Sequence, residues 1–469
     1  MSPWNVLLHG ARGDGRTNDT AAIQQAIDEC AKSGGGRVEL PAGHVFLSGS
    51  LNLRGHVELF IEGGSTLKAS GNRDDFRTLG ALLFADHADG VEVGGSGTID
   101  GNFHAFLTAR TADGYNVTQP FLGPYDPLYD KPGRDHPDGR PRVILLVGCS
   151  HVRIRDIIIR DSPTWTVHLL GCDDVRISGV TIHNNLDVPN CDGVDIDHCR
   201  HVRVEGCNIE AGDDCLVLKA SRNFRDFGVC EDITITNCTL RSRSAAIKIE
   251  PEGPDTVRAA IISNCTIDHS NRGISILNRD GALIEDLIFS DMVIGTELQP
   301  EMWWGSGEPV HVSTLPRSHG LPSGAVRNLQ FSRLTCRGEN GIYLQGSPGS
   351  PLTRLRFSEI DVTLQKTSAL PGGYYDLRPI EGSVGIVYRR SAASVAKRSP
   401  TSSSTICALP GWGRRSPITG RRSSCETQRA SGCQTSLARE VSPANLPKSS
   451  STSANDENQI NLTGTCSRQ

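Results

Sequence analysis

Short runs of alternating apolar and polar residues recur along the middle of the chain. Val152-Arg-Ile154, Ile157-Ile-Ile159 and Val167-His-Leu169 form one set, and Gly, Asn or Asp breaks each run from the next. Period-two alternation over a few residues, interrupted by turn formers, predicts strands. The sets themselves repeat. Units opening at Cys149, Cys172, Cys199, Cys230, Val257 and Leu283 are spaced 23, 27, 31, 27 and 26 residues apart, and after an interruption another opens at Val326. Three strands in a unit of about 25 residues make one coil of a parallel β-helix, in which each coil packs on its neighbours. The expected fold is therefore all-β: a right-handed parallel β-helix. A β-sandwich with coincidental strands is the competing reading, and the in-phase recurrence of Cys and of Asn-Cys-Thr argues against it.

The ends depart from this pattern. Thr20 to Ala31 places Ala22, Ile23, Ala26 and Ile27 on one face behind Asn18-Asp19-Thr20. This reads as a short amphipathic helix with a capping start, closing the amino end of the solenoid. Two insertions interrupt the coils, at about 102–140 and about 296–324, and the second contains Trp303 and Trp304. The alternation runs to Ser383–Tyr388 and then stops. Residues 1–388 are expected to form the β-helix domain. Residues 389–469, rich in Ser, Thr and Arg, are expected to be a disordered tail, either natural or the product of a frame error.

Composition narrows the picture. There are 50 glycines and 5% aromatic residues, which suits many short strands and turns. A formal net charge of −5 gives no reason to expect nucleic acid or an anionic membrane as partner. No apolar run approaches the length of a membrane span. The start lacks the basic region and apolar core of a signal peptide, so a cytoplasmic location is expected, with a secreted or periplasmic protein as the alternative if the start is truncated. Cys149, Cys172, Cys199 and Cys230 share one place in the repeat, and Cys207, Cys238 and Cys265 another, among 15 cysteines in all. Recurrence at equivalent positions predicts small side chains stacked inside the solenoid rather than disulfides. No CxxC spacing occurs, and neither a metal nor a cofactor is expected. The protein is expected to be a monomer.

The chemistry concentrates where acids crowd two strand starts: Asn190-Cys-Asp192-Gly-Val-Asp195-Ile-Asp197 and Gly212-Asp213-Asp214-Cys-Leu-Val-Leu-Lys219. Aligning inward Val194 and Ile196 with Leu216 and Leu218 sets Asp192 level with Asp214, one coil apart at about 4.8 Å of backbone spacing. Asp213 adjoins them. Carboxylates this close repel one another and keep a proton near neutral pH, the condition for a general acid beside a water-activating carboxylate. A turn-forming Asp ladder or a calcium site is the alternative. Lys219 and Lys248 point outward on neighbouring coils, with Arg279 beside the same sheet, and either solvated charge or a grip on a substrate carboxylate would explain them. His168 aligns with Asp195 and Lys248 at the cleft edge. Trp303, Trp304 and Tyr125 lie in the insertions, where they stack on sugar or pack the loops; Glu308 and His311 are weaker candidates in the same region.

In its motifs, the chain resembles the family 28 glycoside hydrolases over roughly residues 5–388. The resemblance rests on Gly13-Asp-Gly-Arg-Thr-Asn-Asp19, Thr98-Ile-Asp-Gly101, Ser162-Pro-Thr-Trp-Thr-Val-His168, Asn190-Cys191-Asp192 and Gly212-Asp213-Asp214. It implies a pectin-lyase-like β-helix and inverting hydrolysis of a pectic polysaccharide or oligosaccharide, with exo action open. It also implies Asp213 as general acid, Asp192 and Asp214 positioning the attacking water, and Asn190 among the substrate-binding residues. Two family motifs are missing: Ser244-Ala245-Ala246 stands in place of Gly-His-Gly, and Ser275-Ile276-Leu277 in place of Arg-Ile-Lys. The first loss removes a support of the acid and the second a grip on galacturonate, so hydrolysis is better founded than the choice of sugar. A β-helix polysaccharide lyase and a non-catalytic carbohydrate-binding β-helix are the alternatives. A lyase needs a basic residue or cation at the centre, and a binder would display aromatics and amides rather than an acid cluster.

Overall fold

The computed structural model describes residues 4–111, 114–117, 140–221, 227–300, 303–317, 323–347, 349–378 and 385–388, with two further strands at Ser403–Ile406 and Gln459–Asn461. Within this range the expected solenoid is present. Val152, Val175, Val202, Ile233, Ala260 and Leu287 are partners on successive parallel strands. Ile159, Ile182, Ile209, Leu240 and Ile267 form a second column. Ile144, Val167, Val194, Leu216, Ile247, Ile274 and Val310 form a third. Every member of these columns is at most 1% exposed. The same position of each repeat therefore lands on the same face of the coil, and aliphatic side chains stack on aliphatic side chains across the rungs. Chirality makes such parallel crossovers right-handed. A further column, Ile154, Ile177, Val204, Ile235 and Ile262, gives way near the carboxyl end to Phe289, Phe331 and Phe357, stacked with centroids 5.0 and 4.7 Å apart.

The recurrent cysteines lie inside, as their phase predicts. All the described cysteines are buried and free, and the Cys172 amide donates to Cys199 Sγ at 3.3 Å. At the amino end the helix spans Thr20–Lys32, and Ile23, Ala26, Ile27 and Cys30 bury against the first coils. Its start lies in the expected Asn18-Asp19-Thr20 segment, where Asn18 Oδ1 accepts the Thr20 amide at 3.0 Å. Asp19 occupies the cap position, but its carboxylate accepts the Arg12 and Gly13 amides at 2.8 and 3.0 Å and so ties down the preceding loop. No helix among the described residues is long and apolar enough to cross a membrane.

One long sheet differs from the rest. It gathers Leu51–Asn52, Ala81–Asp86, Arg142–Val147, Val167–Leu170, Val194–Asp197, Leu216–Lys219, Ala245–Ile249, Arg272–Leu277, Glu308–Ser313 and Tyr343–Gln345. Elsewhere the strands alternate between buried and exposed, as in Arg200–Glu205. From Arg142 onward, the strands of this sheet are buried on both faces. Its outward side carries polar residues that other parts of the chain cover, and it is called the cleft sheet below. Of the expected tail, Ser403–Ile406 pairs antiparallel with Leu352–Leu364, and Gln459–Asn461 with Tyr343–Gln345. The remainder of 389–469 lies outside the described residues.

Candidate active site

Two glycines set the acids in place. A Cβ on Gly212 would lie 2.3 Å from the Val188 carbonyl oxygen, and one on Gly193 would lie 2.4 Å from that of Cys215. Only a residue without a side chain lets these neighbouring coils approach so closely. The ladder then fixes the register: the Gly193 amide donates to the Asp214 carbonyl at 2.9 Å, and the Thr166 amide donates to the Asp192 carbonyl at 2.9 Å. Asp192 thus stands one rung from Asp214, as the alignment of inward residues predicts. Carboxylate oxygens of Asp192, Asp213 and Asp214 lie within 4.8 Å of one another.

Each acid is held differently. Asp214 Oδ1 accepts the Ala245 amide at 2.9 Å, and its Oδ2 accepts Lys248 Nζ at 2.7 Å. Asp213 Oδ2 accepts the Asn190 amide at 3.3 Å, while its carbonyl accepts the Ser242 hydroxyl at 2.5 Å. Asp192 Oδ1 has no hydrogen-bond partner among the described residues. Burial and the Asp214 charge push the Asp213 carboxyl up to about 6. Burial, followed by Asp195, Asp213 and Asp214, pushes Asp192 well above the usual carboxylate range. The resting cluster therefore keeps a proton on one of these two acids at mildly acidic pH. Asp213, at 9% exposure, is the more accessible of the three. The spacing would also admit a cation, but both Asp214 oxygens already accept hydrogen bonds and the Lys248 ammonium supplies positive charge locally.

The other candidates lie around this centre. Asn190 is exposed at the cleft edge and takes the left-handed conformation, φ 54°, which asparagine tolerates. Lys219 is buried above the Trp165 ring at 4.3 Å, with Glu252 at 3.4 Å and Asp195 at 3.7 Å. These carboxylates outweigh the cost of burial and keep it charged. Lys248 is buried between Asp214 and Glu250. Arg279 is buried, with Glu250, Arg378, Arg317 and Asp280 around it. The three cations expected to grip substrate thus have internal carboxylates beside them. His168 does align with Asp195, and through Val217 with Lys248. Its ring meets Trp165 edge-on at 4.9 Å and is fully buried, so it cannot line the cleft edge as expected. Burial holds it down to about 4, hence neutral, beside Asp197 at 3.5 Å.

In the second insertion, Trp303 is buried and packs the loop, while Trp304 carries the Arg378 guanidinium at 4.7 Å. Glu308 and His311 are buried with Arg272 in an internal ion cluster. Tyr125 lies outside the described residues. Sequence reasoning missed Glu250 and Arg378. Glu250 had a faint signal, an acid two positions beyond Lys248 on the same strand face. Arg378 had none, for it reaches Glu250 across 128 residues of chain.

Comparison with known proteins points the same way. Residues 30–370 match the family described as Glycosyl hydrolases family 28. A "Probable polygalacturonase" of Vitis vinifera is 23% identical over 412 residues, covering 81% of this chain and 78% of that protein. Two solved structures share the fold. An exopolygalacturonase from Thermotoga maritima gives a TM-score of 0.53 at 20% identity, over 82% of this chain and 94% of its own. A family 28 exopolygalacturonase of Yersinia enterocolitica gives 0.56 at 19%, over 78% and 79%.

Proposed function

Since the chain belongs to family 28 of the glycosyl hydrolases and is a glycoside hydrolase, we propose that it cleaves a pectic saccharide by direct displacement with water, using Asp213, Asp192 and Asp214. The observation that carries this reading is the convergence of the three carboxylates within 4.8 Å on consecutive coils. A water molecule hydrogen-bonded to two oxygens at about 2.8 Å each fits between atoms up to about 5.6 Å apart. Asp192 and Asp214 can therefore hold the attacking water between them. Asp213 is the most exposed of the three and is pushed up to about 6, so it is the group able to meet a leaving oxygen with a proton in hand. Asn190, exposed beside Asp213, is the substrate contact we favour; Lys219, Lys248 and Arg279 act chiefly by balancing the charge of the acids.

The cleft sheet favours action at a chain end. Toward the amino end its outward Leu145 and Leu170 are fully covered, and toward the carboxyl end Ser275 and His311 are at most 1% exposed. A through-groove would leave several sugar-sized stretches of sheet open on both sides; a blind pocket would not. The residues that carry the reaction all lie within 1–388, which we take as the glycosidase domain.

The test uses purified full-length protein with galacturonan and rhamnogalacturonan oligosaccharides. Expected are reducing ends without the ultraviolet-absorbing unsaturated product of a lyase, and products one or two sugars long from the outset. Proton NMR of the first products should show the inverted anomer. An unsaturated product, or a first product that retains configuration, would overturn the mechanism.

A further inference from the structure

The site has alanine at 245, serine at 275 and leucine at 277, yet the surroundings of Asp214 are densely charged. Glu250, fully buried, has Lys248 Nζ at 3.2 Å, Arg378 Nη1 at 2.6 Å and Arg317 Nη2 at 3.4 Å. Lys248 in turn donates to Asp214 at 2.7 Å. Arg378 is itself presented by two distant segments. Its amide donates to Asp376 Oδ1 at 2.7 Å in a left-handed turn of φ 63°. Asp376 also accepts the Gly305 amide at 2.9 Å and donates its own amide to Ser306 Oγ at 2.7 Å. The Trp304 insertion and the Tyr374–Asp376 strand thus jointly carry one guanidinium to the edge of the acid cluster.

We propose that the chain Arg378–Glu250–Lys248–Asp214 is the positioning device of this active site, holding the ammonium on Asp214 and biasing the proton on Asp213 with two outer charges of opposite sign. The proposal rests on Asp213 being the acid. Lys248 Nζ is shared between Asp214 and Glu250, so Glu250 sets where it stands. Arg378 balances Glu250, and its charge also reaches Asp214 and Asp213.

The charged groups facing each member are few. Asp213 is faced by Asp192, Asp214, Lys248, Arg378 and Lys219. Glu250 is faced by Arg378, Lys248, Arg279 and Arg317. Arg378 is faced by Glu250, Glu252, Asp214 and Asp213. In a buried site such charges are weakly screened and act beyond contact distance. Removing Arg378 takes away a cation that favours the ionised acid, so Asp213 keeps its proton to higher pH. Removing the Glu250 charge leaves Lys248 and Arg378 less compensated, so Asp213 gives up its proton at lower pH.

The experiment follows kcat/KM against pH on an oligosaccharide that the full-length wild-type protein cleaves. The variants are Arg378→Met, Arg378→Lys, Glu250→Gln and Asp213→Asn, each checked for a cooperative thermal transition. Arg378→Met should raise the basic limb and Glu250→Gln should lower it, each by about one unit, while Arg378→Lys stays at the wild-type position. A general loosening would lower the rate at every pH without moving the limb in opposite directions. A limb that stays put in both charge-removing variants, or moves the same way in both, overturns the proposal. If Glu250→Gln fails to fold, Arg378→Met against Arg378→Lys decides, because Glu250 keeps Lys248 and Arg317 beside it when the Arg378 charge is lost. If Asp213→Asn keeps the wild-type rate and limb, the acid assignment fails rather than the positioning device.

Discussion

On the outer strands Arg327 meets Glu285 at 2.7 Å, with its side chain 45% exposed; on the cleft sheet Lys248 meets Asp214 at 2.7 Å, with its side chain 8% exposed. The two pairs share a distance and a fold, and both face away from the core, on different strands of the coil. Only the cover differs. In water an ion pair gains little, typically under about 1 kcal/mol, because solvent serves each charge almost as well. Out of water each charge depends on its partner, and stripping one away leaves the other stranded at a cost of about 3–5 kcal/mol. The outer faces are thus a solvated skin of exchangeable pairs such as Arg258–Glu231 and Arg333–Asp291. The cleft sheet is a set of mutually dependent charges with the acids at its centre.

Four substitutions sharpen or break this contrast. Lys248→Met should have the largest effect on stability, a loss of about 3–5 kcal/mol in denaturant unfolding. Adding Asp214→Asn should recover part of that loss, since the stranded carboxylate goes with it; a single variant as stable as wild type would place the pair in the solvated class.

Asp195→Asn comes next; it strands no cation, because Lys219 keeps the nearer carboxylate of Glu252 at 3.4 Å. Burial raises Asp195 to about 7 from its ordinary 3.8, and Lys219 only partly offsets this. The folded protein thus holds a proton that the unfolded chain releases, so the contribution of this group to stability is fullest at low pH. It is lost as pH climbs from the ordinary carboxylate range through about 7. The asparagine variant should therefore melt higher than wild type above pH 7 by an amount that vanishes in acid. A difference independent of pH would contradict a buried, raised carboxyl. Arg327→Ala should have the smallest effect, leaving the melting midpoint unchanged within error at any pH.

What could be read from the chain and what could not divide along the same line. Strand phase shows which way a side chain points, and the repeat shows which residues share a rung. Asp192, Asp213 and Asp214 were found together for that reason, as were the stacked cysteines. Strand phase does not show what lies over a face. Strand phase sets His168, Lys219, Lys248 and Arg279 at an open cleft, yet all are buried. Their cover comes from Trp165 and from segments brought in by tertiary folding. Arg378 illustrates the limit: its partner Glu250 is 128 residues away, and no local pattern marks Arg378 as belonging to the site. The helix start shows a smaller version of the same effect, because Asp19 serves the Arg12–Gly13 loop rather than the helix amides.

The central claim is that Asp213 delivers the proton to the leaving oxygen while Asp192 and Asp214 hold the water. The most direct measurement compares Asp213→Asn with wild type on a cleaved oligosaccharide and on the matching aryl glycoside, whose leaving group needs no proton. The account predicts a loss in kcat/KM of about 10²–10⁴-fold on the oligosaccharide and a far smaller loss on the aryl glycoside. An equal loss on both substrates, or none on the oligosaccharide, would contradict it.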